Sequence, residues 1–170
     1  HKEIIPSWAN VVGFMLDNTA REDVFDWVLS VNSGIAVKAD PSRIELKKRM
    51  GIFRSIFDDS KAKKIWIDRD KYPMRDLAQF ADHPDTVKFL LAEAEHPTSK
   101  AHLGNSIYLL RFIHLPYSEE KRATDLFLKV VMDETEDETV RSMALFALSD
   151  QKLDGALIAE QVVKGLRDSK

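Results

Sequence analysis

The 170-residue chain contains no cysteine, which excludes disulfides, thiolate metal sites and cysteine nucleophiles and permits a reducing compartment. Glycine and proline are scarce, six of each, and the glycines stand far apart, at Gly13, Gly34, Gly51, Gly104, Gly155 and Gly165. A phosphate-binding loop needs closely spaced glycines so that backbone amides can surround the phosphates, so nucleotide binding by that device is excluded. Gly-x-Ser-x-Gly is also missing, leaving a hydrolase nucleophile without support. No apolar run is long enough to suggest a membrane span. Neither charge sign dominates. Twenty-five basic and 28 acidic residues give a net charge of −3, which alone argues for neither nucleic acid nor membrane. The first residue is His1, not Met, and the expectation is a fragment of a larger protein or a processed chain.

What is present is 44% hydrophobic and 31% charged residue content, the composition of a folded domain, arranged almost throughout at helical period. Pro6-Ser7 leads into Trp8, Val11, Val12, Met15 and Leu16, the three-and-four spacing of a buried stripe. Thr19 and Glu22 form a capping box that opens a helix to Val31, with Trp27 on its core side. Asp40-Pro41 then caps a helix carrying Leu46, Met50, Phe53, Ile56 and Phe57 and ending near Asp58-Asp59. Residues 60–73 lack periodicity and read as an irregular connection anchored by Ile65, Trp66 and Ile67. A short helix over 74–81 follows.

Beyond residue 84 the pattern repeats at a shift of 38 positions, which carries Phe89-Leu90 onto Phe127-Leu128 and Leu110 onto Leu148. The predicted helix pairs are 84–95 with 99–114, 118–134 with 135–149, and the start of a third from Asp154 to Leu166. A second capping box, Thr135 with Glu138, opens the fourth of these. Such helices hide their apolar faces only by stacking. The fold expected is all-α, an α-α superhelix of the HEAT/armadillo-like solenoid kind, with eight or nine helices in antiparallel pairs. It forms one domain over 1–170, irregular over 1–83 and more regular over 84–170.

Asp137-Glu-Thr-Val140-Arg141-Ser-Met-Ala144-Leu145-Phe-Ala147-Leu148 resembles the second half of a HEAT-type repeat, and the period of 38 fits that class. More widely, the opening His1-Lys-Glu-Ile-Ile-Pro-Ser-Trp8, then Val24-Phe-Asp-Trp27, Met50-Gly-Ile-Phe53, Trp66-Ile-Asp68 and Asp76-Leu77-Ala78-Gln-Phe80 resemble the helical region that follows the nucleotide switch in bacterial NACHT-type STAND ATPases. That resemblance implies a multidomain cytoplasmic signalling protein whose C-terminal repeats sense a ligand and restrain an upstream ATPase.

Two arrangements invite chemistry. Glu93-Ala-Glu-His96 has the spacing that di-iron bundles use, but in a single copy at a helix end, where a solvated pair is the plainer reading; His83, His96, His102 and His114 lack metal-ligand spacing and read as surface or cap. No metal or cofactor is expected. The second arrangement is basic: residues 43–75 hold eleven Lys or Arg against five Asp or Glu, with Trp66 and Tyr72 interleaved. Cations beside aromatic faces suit nucleic acid, and the same residues suit a solvated helix face. Residues 117–150 are acidic in turn, nine against four, so the molecule is polarised in a way that also suits a protein partner.

The reading these features favour is a non-catalytic interaction or sensor module that binds a protein partner or other domains of its own chain. Its contact set is Arg43, Lys47, Lys63, Lys64, Trp66 and Arg69. Nucleic-acid binding through 43–75 is the alternative. A HEAT-like DNA glycosylase is a third reading, for which Trp66 and Asp68 are the sole candidates, with no second aromatic and acid pair to support it.

Overall fold

The computed structural model describes residues 9–18, 21–151, 155, 158 and 159, and they contain helices, turns and no strand. Nine α-helices follow one another among them: α1 (Ala9–Asn18), α2 (Glu22–Val31), α3 (Ser33–Val37), α4 (Leu46–Lys63), α5 (Met74–Phe80), α6 (Pro84–Glu95), α7 (Lys100–Leu110), α8 (Tyr117–Met132) and α9 (Glu138–Asp150). Trp8 and the segment from Asp154 to Leu166, apart from 155, 158 and 159, lie outside the described residues.

Local chemistry sets the start of several helices. Asn32 caps α3, accepting the Gly34 amide at 3.0 Å, and Ser99 caps α7, its Oγ accepting the His102 amide at 3.2 Å. Pro84 opens α6 at a position where its missing N–H costs nothing, with His83 Nδ1 accepting from the Asp85 amide. Of the two predicted capping boxes, the first falls partly on Thr19, outside the described residues, and the second is not used. Arg21 is the N-cap of α2, which begins three residues later than expected. At the other box, Thr135 is held in a turn by Asp133, which accepts from both its amide and its hydroxyl, so Asp137 takes over as the cap of α9. Asp40 caps a single 3₁₀ turn, Pro41–Arg43, rather than α4 itself. Nor does α4 stop at Asp59. The Lys63–Asp59 pair at 2.8 Å and the buried Ser60 carry it one turn further, until Lys64 ends it in the left-handed conformation at φ 56°.

Packing alternates along the chain from α5 onward. α7 lies against α5 on one side and α9 on the other, while α6 and α8 pack together and each covers its sequence neighbour. The shift of 38 carries the first residue of α7 onto the first residue of α9. The core threads between these rows and continues toward α4, where the fully buried Phe57 ring meets Phe53, Phe89 and His102 at centroid distances of 6.1, 5.3 and 5.5 Å. Phe80, Leu77, Leu90, Leu91, Ile107 and Phe127 extend it without exposure.

Three expectations about the core need correction. Trp27 is 50% exposed, because Val28, next to it on α2, takes the buried position. Val11 and Met15 on α1 are exposed as well, and of the stripe read on that helix only Val12 packs against the core among the described side chains. His102 is the opposite case, with 1% exposure inside α7. Its Nδ1 accepts the Thr98 amide at 3.0 Å, which places the ring proton on Nε2. That atom lies 2.7 Å from Glu93 Oε2, but the oxygen sits off the N–H axis, so the carboxylate meets the dipole of a neutral ring rather than an aligned hydrogen bond. Glu93 also receives Lys61 at 2.5 Å, so Glu93 is engaged by the buried His102 and the half-buried Lys61 and not by His96, its partner in the Glu-x-x-His spacing.

Burial pushes the His102 imidazole below its ordinary value; the Glu93 carboxylate opposes the shift and the Lys61 ammonium adds to it. The unfolded chain therefore takes up a proton near pH 6.5 while the native chain refuses it until lower pH. Stability from this group is full above about pH 6.5 and is lost as pH falls from there to the native value. Urea midpoints measured from pH 7.5 to 5 should decline, and His102→Gln should flatten that slope; an unchanged slope in the variant would assign the decline elsewhere. Carboxylates held down by partners, such as Glu95 by Arg122, act only below about pH 4 and do not enter the window.

Candidate interaction surface

The connection after α4 now runs from 64 to 73 and is fixed by hydrogen bonds as well as by packing. Ile67 is buried and Ile65 is half out in solvent. Asn105, buried in α7, accepts the Ile67 amide at 3.1 Å and donates to the Ile65 carbonyl at 3.1 Å, satisfying a backbone donor and a backbone acceptor with one side chain. Between those two residues the Trp66 ring closes directly against Gly104. A Cβ at position 104 would stand 2.2 Å from the ring, so only glycine admits this approach. Asp68 then accepts the amides of Asp70 and Lys71, a turn that aims Arg69 back over α7.

On α7 and just past its end, Tyr108, Arg111 and Phe112 are spaced three and four apart and share one side. Arg69 comes over the Tyr108 ring at 4.7 Å, and Arg75, from the first turn of α5, over Phe112 at 5.1 Å. Arg111 stands 5.0 Å from both the Phe112 ring and the Phe146 ring of α9. Tyr108 and Phe112 meet edge to face at 5.3 Å. Three helices and the connector thus build one surface of arginines laid on aromatic rings, each contact favourable by about 0.5–1 kcal/mol where exposed. Arg111 is neutralised by Asp150 at 2.5 Å. Among the described residues no carboxylate pairs with Arg69 or Arg75.

A second concave feature, about 650 Å³ in volume, lies along α6 and α8. Leu103, Leu126 and Val130 make its floor. Its rim mixes Lys121, Arg122 and Lys129 with Glu95, Asp125, Asp133 and Glu136, and Arg122 grips Glu95 through two bonds of 2.7 Å. Neither sign prevails there. Among the described residues no group of three His, Asp or Glu side chains is placed to hold a metal ion, and no helix is long and apolar enough to cross a membrane.

The six residues expected to form a contact set do not meet at one place. Lys47 and Lys63 lie near opposite ends of α4, an 18-residue helix about 27 Å long. Arg43 is in the 3₁₀ turn before it, Lys64 is the left-handed residue after it, Trp66 is half-buried on Gly104, and Arg69 belongs to the arginine and aromatic surface. Several cations of 43–75, Lys63 of that set included, are engaged within the molecule: Lys48 by Asp26, Arg49 by the Phe80 carbonyl, Lys61 by Glu93 and Lys63 by Asp59, while Arg54 lies over the Phe89 ring. Tyr108, Arg111, Phe112 and Phe146 were missing from that set. One signal for them is present in the sequence, since the shift of 38 superposes Tyr108 on Phe146.

No family model, curated protein or solved structure matches the chain.

Proposed function

We propose that this chain is a non-catalytic, HEAT-like helical-repeat module that binds a protein, either a separate partner or an ATPase domain of its own longer chain in the manner of the cytoplasmic, bacterial STAND proteins it resembles. The alternation of α5, α7 and α9 with α6 and α8, and the 38-residue step between α7 and α9, support the repeat reading. The observation that carries the binding reading is the arginine and aromatic surface over α5, α7 and α9. Tyr, Phe and Arg are the residues enriched where protein interfaces lose their water. A nucleic-acid site in 43–75 is the weaker reading, because a backbone-tracking groove needs a continuous run of available cations and several here are held by carboxylates or carbonyls of the molecule itself.

Fluorescence anisotropy with labelled single- and double-stranded oligonucleotides across a salt series tests the choice. The expected result is no binding at low salt. Binding that weakens steeply with salt, and that Lys63→Glu with Lys64→Glu diminishes, would overturn the protein reading in favour of the alternative.

A further inference from the structure

We propose that the surface formed by Arg69, Arg75, Tyr108, Phe112 and Phe146 recognises a short acidic peptide segment that carries an apolar side chain among its carboxylates. The inference rests on the interaction-module reading and names the partner class for it.

Each of the two arginines is half-used. The ring beneath it covers one face of the guanidinium, and the planar edge with its N–H donors is left without a carboxylate among the described residues. Stacking also restricts the long side chain, so less rotamer freedom is lost when the edge is engaged. Because the supporting rings touch each other at 5.3 Å, the two forks stand side by side on one platform rather than as scattered surface charges. A planar, bidentate acceptor is what such a fork fits best. Arg111, already paired with Asp150, contributes rigidity: it bridges the Phe112 and Phe146 rings and ties the platform to α9.

The choice between a peptide and a nucleic acid follows from what surrounds the platform. Asp68, Asp70 and Asp76 flank the two arginines in sequence, and the chain as a whole is at −3. A phosphodiester backbone presents a charge at every step and needs cations to continue along its track, whereas this platform offers two available forks and then carboxylates. Two carboxylates on one peptide match that number. At the edge of the platform Phe146 keeps 52% of its surface open, an apolar contact that an acidic peptide with a leucine or similar residue would cover and a phosphate would not.

The test is fluorescence anisotropy on the purified chain with three labelled probes: a short peptide of Glu, Asp and Leu, its counterpart with Lys replacing the acids, and a single-stranded oligonucleotide of the same charge as the first. The acidic peptide should bind, and the other two should not. Arg69→Glu with Arg75→Glu should weaken it by about tenfold or more, Phe146→Ala by a smaller factor, and Arg69→Lys with Arg75→Lys should weaken it despite the kept charge, because an ammonium lacks the fork. All three positions are exposed, and helical circular dichroism checks that each variant is folded. Absence of acidic-peptide binding, equal binding by the Glu variant, or equal binding of the basic peptide would overturn the proposal while leaving the module reading intact. Tighter binding of the oligonucleotide would overturn both.

Discussion

Replacing Asn105 with alanine is expected to lower stability by about 1–3 kcal/mol, because the Ile67 amide would lose its partner in a buried site, while the Ile65 carbonyl, part-buried beside a half-exposed side chain, would turn toward water. Ser60 Oγ already donates its proton to the Phe57 carbonyl at 2.7 Å and is not free to donate in place of the lost amide. Asn105→Asp separates the two halves of the effect. It keeps an acceptor for the Ile67 amide but sets a second oxygen against the Ile65 carbonyl and buries a charge. That variant should be at least as unstable as the alanine at neutral pH and should recover part of the loss on acidification, when the carboxyl can again donate. Urea unfolding at two pH values measures both. A loss below about 0.5 kcal/mol in the alanine variant, the size of an ordinary surface change, would mean that packing alone holds the connector.

Gly104→Ala should cost about 1–3 kcal/mol by overpacking, since the new methyl would stand 2.2 Å from the Trp66 ring. The ring is half-buried and has one way out, into solvent, so relief of the clash comes at the expense of its own burial. The decisive measurement is a double-mutant cycle with Trp66→Ala. In a background without the indole the alanine has nothing to strike, its next neighbour Met143 Sδ lying at an ordinary 3.5 Å, and inside α7 it would even gain from its higher helix propensity. Costs that simply add would show that the ring is not what excludes a side chain at 104.

Helix boundaries set by residues within one turn are readable in this sequence, and α6 runs over Pro84–Glu95 as the Pro84 signal predicts. Boundaries decided by competition are not. Thr135 looks like a cap until Asp133, two residues earlier, binds its hydroxyl, and Asp59 looks like an end until Lys63 pairs with it. Burial of a polar group is harder still to read, because it depends on which distant side chains arrive. His102 lacks metal spacing and reads as surface or cap in the sequence, whereas its environment is supplied by Glu93 of α6 and Lys61 of α4. The surface site follows the same rule. Tyr108, Arg111 and Phe112 can be placed on one side from spacing alone; that Arg69, Arg75 and Phe146 join them requires knowing that α5 and α9 flank α7. Conversely, the cations of 43–75 look like one cluster in the sequence because a helix end and a helix start some 27 Å apart are close only when written in a line.

The attachment of the connector to Asn105 also orders events in time. Residues 65 and 67 are held by a side chain 40 and 38 positions later in the chain, and the loop so closed contains α5, α6 and the first half of α7. Contacts between α6 and α7, joined by a few residues, are local and cheap to close, whereas this attachment carries the entropy of a long loop. A nascent chain therefore has its α6–α7 pair before its connector, and until α7 emerges Trp66 has no seat and Arg69 no ring to lie on. The arginine and aromatic surface is then among the last parts of the molecule to form, and it depends on a residue that is not one of its members.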